Sequence, residues 1–214
     1  MVKYMKKINI IIISIILLSF ILGIYLYPSL PSEMASHWNS QGEVNGYMSK
    51  FWGLFLMPIV IVALFLIFLI IPKIDPLKKN IEKFRKYFDG FILLMVIFMV
   101  YIHILTLLWN FNYRFNMTTM IIPAIAVLFY FIGIMLKEVK RNWFIGIRTP
   151  WTLSSDVIWE KTHQLGSKLF KLSAVLMLMG LFFDQYLVWF VLVPTLGTAL
   201  FLIVYSYVEY KKRK

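Results

Sequence analysis

The residues of this chain that could bind a ligand or a metal ion lie in two polar segments between long apolar runs. The first segment, residues 28–50, reads PSLPSEMASHWNSQGEVNGYMSK. Its Glu33, His37 and Glu43 could hold a metal ion or bind a cationic peptide; alternatively, His37 and Trp38 dock at a membrane interface, where amphipathic rings are favoured. One His with two carboxylates lacks a diagnostic metal-ligand spacing, so no metal is predicted. The predicted ligand-binding residues are Glu33, His37, Trp38 and Asn39.

The second polar segment, residues 141–170, reads RNWFIGIRTPWTLSSDVIWEKTHQLGSKLF and is the main candidate functional element. Pro150 forces Thr149 into an extended conformation, and the hydroxyl residues after it can cap a helix that begins near Asp156. On that helix Trp159 and His163 are four residues apart, so they share one face. The sequence therefore predicts a turn that leads into a helix.

Arg148 stands out in this segment because it lies between apolar Ile147 and Thr149-Pro150-Trp151. A guanidinium in this setting is predicted to pair with a carboxylate, a backbone carbonyl or a lipid phosphate. The tryptophans have a second interpretation, since Trp packs at membrane boundaries whatever the protein does. The predicted signalling or partner-binding residues are Arg148, Thr149, Pro150, Trp151, Thr152, Trp159 and His163.

The elements that must position these segments are membrane helices. Hydrophobic residues make up 61% of the chain and charged residues 15%, more apolar surface than a soluble core of 214 residues requires. Backbone hydrogen bonding in lipid requires helices here, so the predicted class is an all-α polytopic integral membrane protein. The fifth run is short unless it begins near Leu165. The six predicted spans are residues 8–27, 51–71, 91–109, 120–136, 172–183 and 186–207.

The distribution of Lys and Arg predicts the orientation of these helices. Of the 22 Lys and Arg residues, all but Lys50 and Arg114 lie before the first span, between the second and third, in residues 137–171 or at the C-terminus. Segments rich in these residues stay in the cytoplasm, so both termini are predicted to be cytoplasmic, in a multi-pass protein of the cell membrane. Topology and anionic lipid explain the net charge of +12, and direct nucleic-acid binding is not predicted.

The domain prediction has three parts: residues 1–71, a two-helix unit with the extracellular loop 28–50; residues 72–136, a central two-helix unit; and residues 137–214, with the last two helices. A passive helical bundle would not be expected to collect its polar, Pro and Trp residues in two loops.

A small transporter or a membrane-embedded enzyme of unknown substrate is the alternative class, and it needs ionisable groups within the bilayer. His103 is the clearest one, and its other interpretation is a hydrogen bond to a neighbouring helix. Glu160 and His163 form only half of a carboxylate-histidine metal site. Enzyme activity is disfavoured and no cofactor is predicted.

Two sets of residues carry a family resemblance. In the second segment these are Gly146 to Leu153, GIRTPWTL, then Trp159, Thr162-His163 and Gly166; in the first they are Leu30-Pro31, His37-Trp38-Asn39, Gly42 and Lys50. The second segment closely resembles the signature of the SdpI family, bacterial immunity proteins against the sporulation-delaying toxin. The first is similar to a domain of unknown function that often begins these proteins, and which usually has an aspartate about where Asn45 stands.

The resemblance implies a small Gram-positive membrane protein that protects its own membrane from a secreted antimicrobial peptide. In the founding case the family also signals, by sequestering a cytoplasmic autorepressor at the membrane. The implied partners are therefore the lipid bilayer, a peptide toxin and a cytoplasmic transcriptional repressor. The loop with His37 and Trp38 is expected to sense the peptide, and Arg148 to His163 to form the inner relay or repressor dock.

Overall fold

The computed structural model of the chain describes the backbone of residues 2–213 and the side chains of residues 7–213. Two strands form one antiparallel hairpin, β1 (Glu33–Trp38) and β2 (Val44–Ser49). The helices are α1 (Val2–Leu26), α2 (Lys50–Ile74), α3 (Lys78–Lys83), α4 (Arg85–Asn110), α5 (Met117–Glu138), α6 (Pro150–Ser154), α7 (Asp156–Gly180) and α8 (Leu187–Lys211).

Each of the six predicted apolar runs overlaps a helix of at least 22 residues, long enough at 1.5 Å per residue to cross the hydrocarbon layer. In the part of the chain that the structure describes, five of these helices are also apolar enough to span: α1, α2, α4, α5 and α8. The protein is thus a multi-pass membrane protein dominated by α-helix. The remaining long helix, α7, has 25 residues, but its first half is polar.

The chain divides into two compact units. The first consists of Met1–Phe68 and Ile92–Ile121, and the second of Leu69–Phe91 and Ile122–Lys214. The three-part division at residues 71 and 136 stays a prediction.

The first unit packs the hairpin against helix ends. Its core cluster joins Leu30 and Met34 to Leu54 of α2 and Leu107 of α4. Gly53 makes this possible, because a Cβ there would lie 2.7 Å from Met34 Sδ. The hairpin is therefore anchored by one buried methionine.

The second unit is organised by the antiparallel pair α7 and α8. Near one end, a Cβ at Gly180 would lie 2.5 Å from Phe190 Cβ, and midway Ser173 Oγ lies 3.2 Å from Thr198 Oγ1. Near the other end, Lys161 Nζ lies 2.6 Å from Glu209 Oε2. Small residues let membrane helices approach closely, and α7 consequently runs along almost the whole of α8.

Candidate functional site

The hairpin loop, residues 28–50, is more regular than a turn-rich loop. β1 and β2 pair from Glu33 opposite Ser49 to Trp38 opposite Val44, with an irregularity on either side of His37. The connecting turn is organised by Asn39, whose Oδ1 accepts hydrogen bonds from the backbone N–H groups of Gln41 and Glu43 at 3.0 and 2.9 Å. Gly42 completes the turn at a φ of 80°, which glycine adopts at no steric cost. Asn39, predicted as a ligand-binding residue, thus shapes the turn.

The imidazole of His37 is exposed and bonded within the hairpin. Its Nδ1 donates to Asn45 Oδ1 at 2.5 Å. Glu43 Oε2 accepts from Asn39 Nδ2 at 3.0 Å, and Glu33 is exposed at the start of β1. The structure brings His37 together with Asn45 rather than with Glu33 or Glu43.

Two asparagines outside the hairpin bond to its main chain. Asn110, the last residue of α4, accepts from the N–H of Ala35 at 2.8 Å and donates to the carbonyl of Ala35 at 3.0 Å. Asn116 donates to the carbonyl of Gln41 at 2.8 Å, while its Oδ1 accepts from the N–H of Thr119 in the first turn of α5. The hairpin is held at both its side and its tip.

Trp38, the last residue of β1, belongs to an aromatic cluster beside the turn of the hairpin. Its ring packs edge-on against Trp109 with centroids 5.8 Å apart, and the guanidinium of Arg114 lies 3.8 Å above the Trp109 ring. Trp38 Nε1 is buried, and no hydrogen bond to it is found among the described residues. This ring is therefore a packing element, whereas the adjacent His37 is open to solvent.

The Arg-Thr-Pro-Trp segment, residues 141–170, begins with a tight turn that the fully buried Asn142 organises. Asn142 Oδ1 accepts from the N–H groups of Phe144 and Ile145, and its Nδ2 donates to the carbonyls of Lys140 and Ile145. Asp75, which follows α2, accepts from the N–H groups of Leu77 at 2.6 Å and Trp143 at 2.9 Å. These interactions fix the turn to the end of α2.

His163 is a buried connector, with 2% of its surface exposed. Its Nε2 accepts from the N–H of Ile147 at 2.9 Å, so the proton is on Nδ1, which donates to the carbonyl of Trp159 at 2.7 Å. Burial lowers the pKa of His163 to about 4. The imidazole is therefore neutral at pH 7, and both of its nitrogens are occupied, which leaves neither free to ligate a metal ion.

Gly146 and Trp159 complete this connection. Gly146 has a φ of 113°, and a Cβ there would lie 2.5 Å from His163 Nε2. Trp159 stacks on His163 with ring centroids 4.0 Å apart and donates from Nε1 to the carbonyl of Val139 at 3.0 Å. The predicted shared face of Trp159 and His163 is confirmed. This face of α7 contacts the chain between α5 and α6, at Val139 and Ile147.

Thr149 and Thr152 form a reciprocal cap at the start of α6. The N–H of Thr152 donates to Thr149 Oγ1 at 3.1 Å, and the N–H of Thr149 donates to Thr152 Oγ1 at 2.9 Å. Thr149 Oγ1 also lies 3.0 Å from Ser206 Oγ in α8. Ser155 caps α7 through the N–H of Ile158; the sequence predicts a cap from Thr152, Ser154 or Ser155, and the structure selects the last of these. Both predicted threonines are buried.

Arg148 and Trp151 are the more accessible members of the predicted set. Arg148 is exposed and donates to the carbonyl of Trp143 at 2.9 Å, which confirms the predicted carbonyl pairing. Trp151 is half-buried, with its ring 5.0 Å from that of Tyr207 in α8, and Pro150 is exposed. A partner could reach this surface without opening the fold.

Sequence reasoning missed the polar residues that tie distant segments together: Asp75, Asn80, Asn110, Asn116 and Asn142. Asp75, Asn110 and Asn116 lie at or next to helix ends, where Asn and Asp commonly bond to free main-chain groups, and this position is the available signal. His103 was singled out within α4; it is buried, and its Nε2 has no hydrogen-bond partner among the described residues.

The architecture defines a multi-pass helical membrane protein with a β-hairpin loop and a Gly-Ile-Arg-Thr-Pro-Trp turn that is held by buried side chains. The family model of the SdpI/YfhL protein family matches residues 138–207, and that of a domain of unknown function, DUF1648, matches residues 14–62. These are the family and the domain that the two polar segments resemble in sequence. It is 28% identical over 209 residues to "Immunity protein SdpI" of Bacillus subtilis (strain 168), covering 97% of this chain and 98% of that protein. No solved structure matches the chain.

Proposed function

We propose that this protein gives its host immunity to a secreted antimicrobial peptide. The observation that carries the proposal is the similarity to an immunity protein along almost the whole chain, which includes both the hairpin loop and the Arg-Thr-Pro-Trp segment. The protein acts in the cell membrane, where a membrane-active peptide would act.

The proposed topology has six spans with both termini in the cytoplasm. The antiparallel contact of α7 with α8, from Lys161 beside Glu209 to Gly180 beside Phe190, supports a sixth span. This length of contact with a membrane-spanning partner favours a membrane-spanning position for α7 as well. The snorkelling of Lys168 and Lys171 accommodates the polar part of α7.

Contacts within each unit support this sidedness. The two segments with few basic residues, the hairpin loop and residues 111–116, are joined by the bond from Asn116 to the Gln41 carbonyl. In the second unit the strongly basic segments meet, since Asn80 donates to the carbonyl of Arg141 at 2.8 Å. In agreement with the positive-inside rule, the proposed topology has the hairpin loop outside and the basic segments inside.

The hairpin loop is the proposed peptide-recognition surface. His37 and Tyr47 are exposed on it, and Glu33 and Glu43 add negative charge that would attract a cationic peptide. Trp38 supports this surface through its packing on Trp109, and Asn39 supports it through its hydrogen bonds within the turn. The proposed recognition residues are thus Glu33, His37, Trp38 and Asn39, with the last two acting through the shape of the loop.

The Arg-Thr-Pro-Trp segment is the proposed site of signalling to a cytoplasmic repressor. The accessible surface of this segment consists of the Arg148 guanidinium, the Pro150 ring and the half-buried Trp151 ring. The buried residues Thr149, Thr152, Trp159 and His163 hold that surface in place.

Survival of a toxin-sensitive Gram-positive host tests the immunity function. The host expresses the chain and is challenged with sporulation-delaying peptide and related membrane-active peptides. His37→Ala is compared with Ser40→Ala, an exposed residue of the same turn, and Arg148→Ala with Arg213→Ala at the C-terminus. Protection lost in His37→Ala but kept in Ser40→Ala at equal abundance supports the recognition surface, whereas no protection by the unmodified chain refutes immunity to these peptides.

The topology has its own test, because the sequence contains no cysteine. Single cysteines replace Ser40, Ser154 or Gln185, and intact cells are treated with a membrane-impermeant maleimide. Six spans require labelling at positions 40 and 185 and protection at position 154. Protection at position 185 would mean that α7 does not cross the membrane.

A further inference from the structure

A polar cavity of about 260 Å³ lies in the second unit between α3, the chain that follows α5, and the first turns of α7. Its volume is close to the lower end of small-molecule pockets, roughly 300 Å³. The charged side chains that line it are four cations and two acids: Lys83, Lys137, Lys140, Arg141, Asp156 and Glu160. A concave site with this excess of positive charge attracts anions.

Hydrogen bonds fix the walls of this cavity to one another. Asn80 Nδ2 donates to the carbonyl of Arg141 at 2.8 Å and joins α3 to the chain after α5. Trp159 Nε1 donates to the carbonyl of Val139 at 3.0 Å and joins that chain to α7. The walls are therefore preformed, which lowers the entropic cost of binding a ligand.

The cations differ in how far they are neutralised. Arg141 donates to the carbonyl of Leu153 at 2.9 Å, and its Nε lies 2.8 Å from Asp156 Oδ1. By contrast, Lys83, Lys137 and Lys140 are exposed and make no ion pair within the part of the chain that the structure describes. Three ammonium groups at one cavity repel one another, and an anion bound among them would relieve that repulsion.

An apolar groove of about 310 Å³ runs between α5 and α7. It lies between α5, at Val127, Tyr130 and Ile134, and α7, at Ala174 and Val175.

The groove and the cavity lie on one side of the α5–α7 pair. On α5, residues 127, 130 and 134 of the groove and residue 137 of the cavity recur at helical spacing; on α7, Gln164 of the cavity and Val175 of the groove are separated by about three helical turns, which places them on one face. Lys171 lies between the two, with its ammonium 5.9 Å from the centre of the Tyr130 ring.

We propose that the cavity and the groove together bind one anionic phospholipid. Its phosphate-bearing headgroup lies among Lys83, Lys137 and Lys140, and an acyl chain follows the groove towards Val175. A phosphate group alone would leave the groove empty, and hydrocarbon alone would leave the lysines unneutralised. Basic pockets beside membrane helices are suited to anionic headgroups. The site is independent of the immunity function.

The test measures lipid binding to the purified full-length chain in neutral detergent. The probes are dioleoylphosphatidylglycerol, dioleoylphosphatidylcholine, glycerol phosphate and inorganic phosphate, and the readouts are bound lipid per chain and the shift in Tm. Lys137→Gln with Lys140→Gln removes two cavity charges. Lys78→Gln with Lys79→Gln is the matched control, because it removes two exposed charges from the neighbouring α3 that do not line the cavity. Val175→Phe narrows the groove without changing the charge.

The expected result is phosphatidylglycerol binding about thirtyfold weaker in the cavity variant and close to normal in the control, since each of the two lysines near a membrane surface contributes about 1 kcal/mol. Val175→Phe should also weaken it. Equal losses in the cavity variant and the control would overturn the site, because general surface charge would then explain binding. Equal binding of phosphatidylcholine would overturn the anionic headgroup, and a Tm shift with inorganic or glycerol phosphate as large as with the lipid would overturn the lipid.

Discussion

The hairpin loop and the Arg-Thr-Pro-Trp segment are both held by side chains that bond to main-chain groups. They differ in whether their own side chains are exposed or buried. The hairpin is held from outside by Asn110 and Asn116, and this leaves His37 exposed. The Arg-Thr-Pro-Trp segment is held from inside by residues such as Asn142 and His163, which are buried. Substitutions in the segment should therefore affect mainly folding, whereas substitutions on the hairpin should affect mainly binding.

The largest expected effect is that of Gly146→Ala. The new Cβ would meet His163 Nε2 at 2.5 Å, in a backbone conformation that L residues rarely adopt. Strain and the loss of the bond from Ile147 should together lower the free energy of unfolding by about 2–4 kcal/mol. Thermal unfolding in detergent measures this. Gly197→Ala in α8 is the control, since a Cβ there meets nothing within 4 Å; an equal loss in both would show that the close approach is not responsible.

Acidification is the next test. The folded pKa of His163 is about 4, against an ordinary value near 6.5. Between these values the unfolded chain binds more protons, so stability falls as the pH drops from about 6.5 to 4. Protonation of His163 should lower the free energy of unfolding by roughly 3 kcal/mol once the pH is below about 4. Unfolding of the unmodified chain and of His163→Gln is compared across this range, and the difference between them should shrink on acidification. Parallel pH profiles would contradict a buried neutral imidazole.

Asn110→Ala should have a smaller and more local effect. It removes the partners of both the N–H and the carbonyl of Ala35, groups that water can reach only in part, so a loss of about 1–2 kcal/mol is expected. Limited proteolysis should show faster cleavage between β1 and β2 than in the unmodified chain. Ser49→Ala, an exposed position of β2, serves as the comparison. Unchanged cleavage would mean that Met34 and the aromatic cluster suffice to anchor the hairpin.

The smallest expected effect on stability is that of Arg148→Ala. The side chain is exposed and makes one bond to the carbonyl of Trp143, so the change should be about 0.5 kcal/mol or less. The same variant should lose signalling if the segment docks a repressor, which a repressor co-sedimentation assay with membranes would detect. A loss of several kcal/mol would instead make Arg148 a structural residue, like its buried neighbours.

Much of this arrangement can be predicted from local sequence. Long apolar runs indicate the membrane helices, the hydroxyl residues before Asp156 indicate a cap of α7 without selecting Ser155, and the spacing of Trp159 and His163 indicates their shared face. The β-hairpin is harder, because EMASHW and VNGYMS lack a strong alternation of apolar and polar residues. Its regularity depends on contacts with α4, which is far away in the sequence.

The buried polar partners could not be predicted for the same reason. Asp75 accepts from the N–H of Trp143, 68 residues away, and Asn110 bonds to Ala35, 75 residues away. Neither pairing leaves a periodic pattern, since each depends on how helix ends meet after folding. His163 could be placed on the correct face, but its neutral tautomer follows only from the position of the Ile147 N–H.

The amide of Asn110 has a consequence for what the hairpin can bind. Because it satisfies both the donor and the acceptor of Ala35, it acts there as a short surrogate for a third strand. β1 is thereby closed at this point to an incoming extended chain. Tyr47 of β2 lies directly opposite Ala35 and is 64% exposed. The two residues form a pair without mutual hydrogen bonds, and in such a pair the main-chain N–H and C=O groups of each residue point away from the other strand. The main-chain groups of Tyr47 therefore point away from β1. A peptide that adds to this sheet by β-augmentation must therefore approach along β2.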